Sequence, residues 1–480
     1  MKINTAARVA RNQSPIYIID DINQVPQLPI PDDEREIAIA HLKKELKEVV
    51  LPETNRLISI ILVDKKKEDY KTAENLRKSG YNLLSALNRS KFSSVFIENR
   101  SQISNAALSV AEGMALGNYQ FLRFKKDREK EANSLKEITL HAAQCNSKEV
   151  ETLQAVVDSV YLVRDLVNLP VNYLNAVGLA QEIVKVGKQA GFRTEVFSKS
   201  KIEALKMGGL LAVNQGSVDP PSFSIMEYQP RKAVNKQPIV LVGKGIVYDT
   251  GGLSLKPTPN SMDYMKCDMA GAAVVLGVIS CAARTKLPVH LIGLVPATDN
   301  RPGFNAFAPG DIITMHNQMT VEMLNSDAEG RMILGDALSF ARQYKPELLI
   351  DIATLTGAAH RALGDQAFAL MRTASDEVMA LMHKASQDTY ERFVEFPLWE
   401  EYGEWLKSDI ADIKNVGGVN AGMITAGKFL EKFIDYPWVH MDIAGVAFLS
   451  SASSYRGKHA SGIGVRFLYR FLQLRAAQPS

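Results

Sequence analysis

The sequence contains little cysteine and no long apolar run. Its three cysteines, Cys145, Cys267 and Cys281, lie far apart and are odd in number, so a disulfide framework is not expected and a reducing compartment fits best. No stretch of eighteen apolar residues occurs, and the first twenty residues lack the apolar segment of a signal peptide. These absences predict a cytoplasmic protein without a membrane-spanning segment.

An excess of charge of one sign is also missing. The chain has 56 Lys and Arg against 53 Asp and Glu, a formal net charge of +3, and no long basic run. This balance argues against a nucleic-acid-binding protein. Hydrophobic residues make up 46% and charged residues 23% of the 480 residues. These values are typical of a globular enzyme, and the length predicts two domains.

The pattern of apolar residues divides the chain into two parts. Residues 1–150 alternate strand-like runs with amphipathic helices and predict a smaller N-terminal α/β domain. The charge-rich stretch 127–151 is interpreted as a connection that continues into a helix, assigned to 151–167. In residues 168–480, apolar strands that end in Gly, Asp or Asn alternate with helices. That alternation predicts a larger α/β domain with a mainly parallel central sheet.

In such sheets ligands bind at the carboxyl ends of the strands, and polar residues cluster there in this sequence. After the predicted strand Pro238–Gly243 come Lys244, Asp249 and Lys256, among glycines and apolar residues. Charges buried singly are costly, so these side chains need partners or metal ions. A phosphate-binding loop is the alternative. It is disfavoured because the Gly-x-x-x-x-Gly-Lys-Ser/Thr spacing is absent and Asp249 would repel a phosphate.

Two further acidic groups precede predicted helices. Asp268 lies just before the helix predicted from Ala270, where it fits either an N-cap or a metal ligand. Asp327 and Glu329 are two residues apart, so in an extended segment their side chains point the same way. With Arg331 they form either a salt-bridge cluster or a metal site.

The carboxylates considered together favour metal. Two divalent cations would balance the four negative charges of Asp249, Asp268, Asp327 and Glu329. Oxygen-rich ligation without cysteine or histidine suits Zn, Mn, Mg or Co. Two such ions ~3.5–4 Å apart can share and ionise a water molecule. A histidine-based zinc peptidase is excluded, because no His-Glu-x-x-His sequence occurs.

These groups resemble the signature of the leucyl aminopeptidase (cytosol aminopeptidase) family, and Asn325–Arg331 is very similar to its hallmark heptapeptide. Other stretches that resemble family motifs are Arg164–Asn168, Asp351–Ala358, Asp412–Gly418 and Pro437–Gly445. The resemblance implies that the larger domain is a catalytic peptidase domain. It also implies a metal-dependent enzyme that removes leucine and other apolar N-terminal residues from peptides. The alternative is an inactive or moonlighting protein that binds nucleic acid.

The same resemblance implies roles for individual residues. It implies a tight metal ion held by Lys244, Asp249, Asp268 and Glu329, and a more exchangeable one held by Asp249, Asp327 and Glu329. Lys244 can ligate only as a neutral amine. Lys256 would stabilise the oxyanion of the tetrahedral intermediate. Arg331 would hold a bicarbonate ion that acts as general base towards the attacking water.

Substrate binding and assembly are implied by the resemblance alone. The residues implied to bind substrate, mostly around the first side chain, are Met265, Thr354, Leu355, Gly357, Ala444 and Ala447. This pocket is apolar and contains no buried charge. The chain departs from the family pattern in a longer loop between Lys256 and Asp268 and in His360-Arg361 after the Thr-Gly loop. A homohexamer of two stacked trimers is also implied.

Overall fold

The structure is a computed structural model that describes residues 1–10, 13–64 and 69–478. Its contacts divide the chain into two compact units. The N-terminal unit comprises Met1–Tyr161 together with Asp388–Tyr390 and Ser451–Gly457. The larger unit comprises Leu162–Gln387, Glu391–Ser450 and Lys458–Ser480. The division at Tyr161 falls inside a single long helix, Ser147–Asn168.

The N-terminal unit is built on a mixed sheet. Its strands are β1 (Lys2–Ala6), β2 (Ser14–Ile19), β3 (Glu48–Pro52), β4 (Leu57–Leu62), β5 (Ser94–Asn99) and β6 (Glu137–His141), in the order β1-β6-β5-β2-β4-β3. All pairs are parallel except the edge pair of β3 and β4. The helices are α1 (Asp32–Leu42), α2 (Asp69–Arg89), α3 (Ala106–Gly117), α4 (Arg128–Glu131) and α5 (Ser147–Asn168). This confirms the predicted α/β character.

One interpretation of this region was wrong. The charge-rich stretch 127–151 is not only a connection, because it contains β6, which lies between β1 and β5 in the sheet. Ile138 and Leu140 of β6 are fully buried. The strand is too short, with only two inward apolar side chains, to stand out among charged neighbours.

The larger unit is built on a second mixed sheet, mostly parallel as predicted. Its strands are β7 (Arg193–Phe197), β8 (Ser222–Tyr228), β9 (Ile239–Gly243), β10 (Gly245–Asp249), β11 (Leu291–Asn300), β14 (Leu348–Ala353), β15 (Phe368–Arg372), β16 (Phe393–Glu395) and β18 (Trp438–Asp442). The order is β16-β15-β18-β14-β9-β11-β8-β7, with β10 also pairing with β11. Short strands outside this sheet are β12 (Asp311–Thr314), β13 (Thr320–Met323), β17 (Ile413–Lys414), β19 (Phe448–Leu449) and β20 (His459–Ala460).

Helices cover this sheet. They are α6 (Ala176–Ala190), α7 (Lys199–Ala204), α8 (Gly208–Asn214), α9 (Ala270–Arg284), α10 (Glu329–Ala341), α11 (Gly357–Leu363), α12 (Asp376–Thr389), α13 (Glu400–Glu404), α14 (Gly422–Glu431) and α15 (Val465–Ala476). Strands β9, β14 and β18 are buried along their whole length, as expected for strands covered on both faces. The main core includes Trp438, Phe429 and Phe433, all fully buried.

One helical stretch in the described part of the chain, Met262–Arg284, is long and apolar enough by length and composition to cross a membrane. In its most apolar window, 89% of the residues are buried inside the molecule. It consists of a 3-10 helix, Met262–Met269, followed by α9. It packs as the core helix of a globular unit does.

The parallel central strands bring several chain segments to one edge of the sheet. Strand β9 pairs in parallel with β11 and β14, and β14 pairs in parallel with β18. The carboxyl ends of these strands, at Gly243, Asn300, Ala353 and Asp442, therefore lie along the same edge. Lys244 and the predicted substrate-binding segments that begin at Thr354 and Ala444 follow three of these ends.

A buried carboxylate joins two helices of the larger unit and provides a test of its packing. Asp336 of α10 is fully buried and accepts backbone N–H bonds from Leu210 of α8 (2.9 Å) and from His316 (2.8 Å). We expect Asp336→Ala to destabilise the protein by roughly 2–4 kcal/mol, because it leaves these donors buried without an acceptor. Thermal or urea unfolding measures the loss. The control is Asp311→Ala, since the exposed Asp311 carboxylate accepts a bond from Ala308 that water can replace. Equal stability of both variants would contradict this assignment.

Candidate active site

Lys244 lies at the break between β9 and β10 and is held there by its backbone. Its N–H donates to the Ile352 carbonyl (3.0 Å), and its carbonyl accepts from the Ala272 N–H (3.0 Å). The side chain is buried, with Nζ 2.8 Å from Asp268 Oδ2 and 2.9 Å from Glu329 Oε1. Gly330 makes this possible, because a Cβ there would lie 2.4 Å from Lys244 Cε. The glycine-rich segment is therefore partly strand, with β10 following Lys244 directly.

The N-cap alternative for Asp268 was wrong. The 3-10 helix Met262–Met269 runs directly into α9, and the residue before α9 is Met269, which makes no side-chain cap. Asp268 belongs to the 3-10 helix, and its Oδ1 accepts from Thr354 Oγ1 at 2.7 Å. The Asp268 carboxylate thus points to Lys244 and to the end of β14 rather than to its own helix.

The premise of an extended segment at Asp327 and Glu329 was also wrong. The chain turns after Leu324, and α10 begins at Glu329. The two carboxylates nevertheless reach the same region. Glu329 bonds to Lys244, and Asp327 Oδ1 lies 2.5 Å from Lys256 Nζ. The acidic pair converges because a turn, and not a strand, leads into the helix.

Asp249, at the end of β10, contacts Lys256 and lies within 4.8 Å of Asp268 and Glu329, the two carboxylates that hold Lys244. Its Oδ2 lies 2.8 Å from Lys256 Nζ, and its Oδ1 accepts from the Asn300 side-chain amide at 2.9 Å. Lys256 can reach back because Gly251 and Gly252 adopt positive φ angles of 84° and 61°, which glycine tolerates at no steric cost. The chain therefore folds over and places the Lys256 ammonium beside Asp249 and Asp327.

The donor set fits a metal ion. One oxygen each from Asp249, Asp268 and Glu329 lies within 4.8 Å of the others, and all three residues are buried. Asp327 is outside this set but is joined to it through Lys256. Hard carboxylate oxygens clustered in this way are the ligands that Zn, Mn, Mg and Co accept.

The electrostatics of the cluster are those of a cation site. Burial raises the pKa of Asp249, and negative charge on Glu329 adds to the effect. Burial likewise raises the pKa of Asp327 to about 7, again with Glu329 contributing. Burial opposes the charged form of Lys244, but Asp268, Glu329 and Asp249 outweigh it and raise the pKa of this amine. Divalent ions bound at these carboxylates would offset the negative charge that keeps Lys244 protonated. Lys244 would have to lose this proton in order to bind a metal ion as a neutral amine.

Arg331 lies in the first turn of α10, two residues after Glu329. It is only 7% exposed, and its Nη1 donates to the Asn415 carbonyl at 2.7 Å. Its Nε is buried and has no hydrogen-bond partner among the described residues. Burial lowers the pKa of Arg331 to about 10. A buried cation with an unused donor is suited to holding an anion.

The predicted substrate-binding residues follow the ends of β14 and β18 or lie in the 3-10 helix. Asp442 holds the segments that follow β14 and β18, because its Oδ1 accepts hydrogen bonds from the Leu355 N–H (3.1 Å) and the Ala444 N–H (3.2 Å). Thr354 is nearly buried and bonds Asp268, whereas Gly357 is exposed at the start of α11. Met265 lies half-buried in the 3-10 helix, and Ala447 is 4% exposed.

Three residues of the site were missed by reasoning from the sequence: Asn300, Asn415 and Asp442. Asn300 donates to Asp249, Asn415 accepts from Arg331, and Asp442 holds the segment after β14. Each ends a strand or follows one directly, and that position was the available signal. The search for charges overlooked the two asparagines, of which Asn300 binds Asp249 through its side-chain amide and Asn415 binds Arg331 through its backbone carbonyl.

Comparison with protein families agrees with this geometry. Residues 161–469 match the model of the cytosol aminopeptidase family, catalytic domain, and residues 45–128 match that of its N-terminal domain. A probable cytosol aminopeptidase from Chloroherpeton thalassium is 46% identical over 385 residues, which cover 76% of this chain and 75% of the relative. One from Geobacter sp. is 41% identical over 421 residues, covering 86% and 85%.

Solved structures are similar over almost the whole chain. A mutant of tomato leucine aminopeptidase superposes with a TM-score of 0.86 at 26% identity, and the match covers 99% of this chain and 96% of the tomato enzyme's chain. The bottromycin maturation enzyme BotP in complex with Mn gives a TM-score of 0.84 at 26% identity, covering 97% and 100%. The two-domain α/β fold predicted from the sequence is thus confirmed. The chain belongs to the cytosol aminopeptidase family, and it is a metal-dependent aminopeptidase, a hydrolase of peptides.

Proposed function

We propose that this aminopeptidase removes leucine and other apolar N-terminal residues from peptides with the help of two divalent ions. The proposed ligands are Lys244, Asp249, Asp268, Asp327 and Glu329. The observation that carries the proposal is the buried oxygen set of Asp249, Asp268 and Glu329, whose atoms lie within 4.8 Å of one another. When bound, such ions supply Lewis acidity and make a nucleophile available from water at neutral pH. Asp249 contacts Lys256 and Glu329 contacts Lys244, and because their oxygens lie within 4.8 Å of each other, both would help to hold the two ions.

Lys256 is the proposed electrophilic residue. Its ammonium is only partly buried and is held by Asp249 and Asp327. Burial opposes its charge, but the surrounding carboxylates outweigh burial and raise its pKa, so it stays charged. If Asp249 and Asp327 bind metal ions instead of Lys256, the Lys256 ammonium can donate a hydrogen bond to the oxygen of the scissile carbonyl. A donor placed where negative charge develops stabilises the transition state more than the substrate.

Arg331 is proposed to bind bicarbonate. In the described part of the chain no carboxylate lies at ion-pairing distance from its guanidinium, whose Nε is unpartnered. The carboxylates of the cluster are all engaged by Lys244 and Lys256. The group that accepts the proton from water must therefore come from elsewhere, and a bound bicarbonate could accept it.

The preference for apolar residues rests on the small and apolar side chains around the pocket. Met265, Ala444 and Ala447 contribute hydrocarbon surface, and Thr354 has its hydroxyl turned to Asp268. A leucine side chain would bury apolar surface there without leaving a buried polar group unpaired. A homohexamer, a cytoplasmic location and the absence of nucleic-acid binding stay predictions.

Metal removal is the first test of the proposal. Because the ligands are mostly hard oxygens, treatment with a chelator should abolish hydrolysis of leucyl-p-nitroanilide, and Mn, Zn, Co or Mg should restore it. The ion on the side of Asp327 should exchange first, since Asp327 is the least buried ligand. Circular dichroism should show that the fold remains. Full activity in protein verified to be free of metal would contradict the two-metal mechanism.

Lys256→Ala tests the stabilisation of the oxyanion. The variant should lower kcat by roughly 10²–10³ and change KM much less, which is the usual effect of removing one such donor. Metal content should be unchanged. Lys232→Ala, at an exposed lysine of the same unit, is the control and should behave like the wild type. Normal turnover in Lys256→Ala would assign Lys256 a structural role only.

Bicarbonate depletion tests the role of Arg331. Activity of the wild type should fall in carbonate-free buffer and return when bicarbonate, but not chloride, is added. Arg331→Ala should have low activity that bicarbonate restores poorly, because the guanidinium that holds the anion is gone. If depletion leaves the wild-type rate unchanged, water without a bound base must suffice and the bicarbonate proposal fails.

A further inference from the structure

A cation lies beside the pocket proposed for the first side chain. Arg361 is the fifth residue of α11, four residues after Gly357, and residues four apart share a helix face. Its side chain leans towards the start of the helix, and Nη1 lies 3.1 Å from the position that a Cβ on Gly357 would occupy. Arg361 is exposed, and no hydrogen bond or ion pair in the described part of the chain holds its guanidinium.

The start of α11 is fixed firmly to the catalytic cluster. Thr354 accepts from Lys244 Nζ through its carbonyl (3.1 Å) and donates through Oγ1 to Asp268 (2.7 Å). Two residues later, Thr356 Oγ1 donates to Asp442 Oδ2 (2.6 Å) and accepts the Ala359 N–H (3.0 Å) that caps α11. Gly357 is three residues from Thr354, so their Cα atoms are at most about 10 Å apart. The start of the helix that carries Arg361 therefore lies within about 10 Å of Thr354, which contacts both Lys244 and Asp268.

The turn after β18, which carries the proposed pocket residue Ala444, packs tightly against the same helix. A Cβ on Gly445 would lie 2.2 Å from the Gly364 carbonyl oxygen and 3.2 Å from His360 Cα. The turn after β18 thus touches the backbone of α11, and Ala444 beside it lies near the helix that carries Arg361. The pocket walls offer methyl groups, whereas its rim on α11 offers an unpaired guanidinium.

We propose that Arg361 is a specificity-determining residue that extends the substrate range to peptides with an N-terminal glutamate. The aliphatic stem of glutamate would contact the apolar walls, and its carboxylate would bind the planar guanidinium at the rim. Aspartate has one methylene less and reaches the rim less well, and lysine is repelled. This inference rests on the proposed function, which assigns Gly357 and Ala444 to the pocket for the first side chain.

The test compares amidated tripeptides, which lack a carboxylate at the C-terminus. We expect the wild type to cleave Glu-Ala-Ala-amide with a higher kcat/KM than Gln-Ala-Ala-amide. Arg361→Gln should lower this Glu/Gln ratio about twofold to fivefold, the range of an exposed ion pair. Arg361→Glu should lower it further and improve cleavage of Lys-Ala-Ala-amide. Added salt should reduce the wild-type ratio, since it screens exposed charges.

Control experiments distinguish the role of Arg361 from the proposed aminopeptidase function on which it rests. Arg231→Gln removes the same charge from an exposed loop that follows β8, at the end of the sheet away from the cluster, and should leave the ratio at the wild-type value. Failure of the wild type to cleave Leu-Ala-Ala-amide would overturn the proposed function. Cleavage of that peptide with a Glu/Gln ratio that is independent of Arg361 would overturn this inference alone. It would also be overturned if Arg361→Gln changed cleavage of Ala-Glu-Ala-amide relative to Ala-Gln-Ala-amide instead, since Arg361 would then contact the second residue.

Discussion

The convergence of four carboxylates and two lysines, most of them buried, at the carboxyl ends of the parallel strands is the constraint on which the rest of the larger unit depends. Carboxylates so close together repel one another, and burial strengthens that repulsion. Lys244 and Lys256 offset it within the chain by bridging Asp268 to Glu329 and Asp249 to Asp327. A cluster with this much negative charge is costly for stability and suited to cations, which is why it indicates a metal site rather than a structural salt bridge.

The fold supports this cluster by bringing distant segments together. The central strands end at the same edge, so side chains from β10, from the 3-10 helix before α9 and from the start of α10 can converge. Close backbone packing allows it, since Gly330 leaves room for Lys244, and Gly251 and Gly252 turn the chain back so that Lys256 returns to Asp249. The segment after β14 then links the cluster to α11, and with it to the proposed pocket.

Much of this architecture could be predicted from the sequence. Buried parallel strands appear as continuous apolar runs, and charged residues in an otherwise apolar, glycine-rich segment indicate a functional site because burying them without partners is costly. Local geometry could not be predicted. Asp268 looked like an N-cap because its real partners, Lys244 and Thr354, are far away in sequence. The turn at Asp327 looked extended for the same reason, and β6 was hidden by its charged neighbours. From the sequence, Arg361 could be recognised only as a departure from the family pattern, whereas the structure shows its guanidinium beside Gly357.

We propose that these carboxylates hold two divalent ions, and a count of the bound ions is the sharpest test of this proposal. Metal content per chain should be measured in wild-type protein and in Asp268→Asn after equilibration with Mn and removal of free ion. We expect two ions per chain in the wild type and loss of the tight one in the variant, because Asp268 contacts Lys244 and not Lys256. A wild-type protein that hydrolyses peptides with one ion or none, or a variant that keeps both, would contradict it.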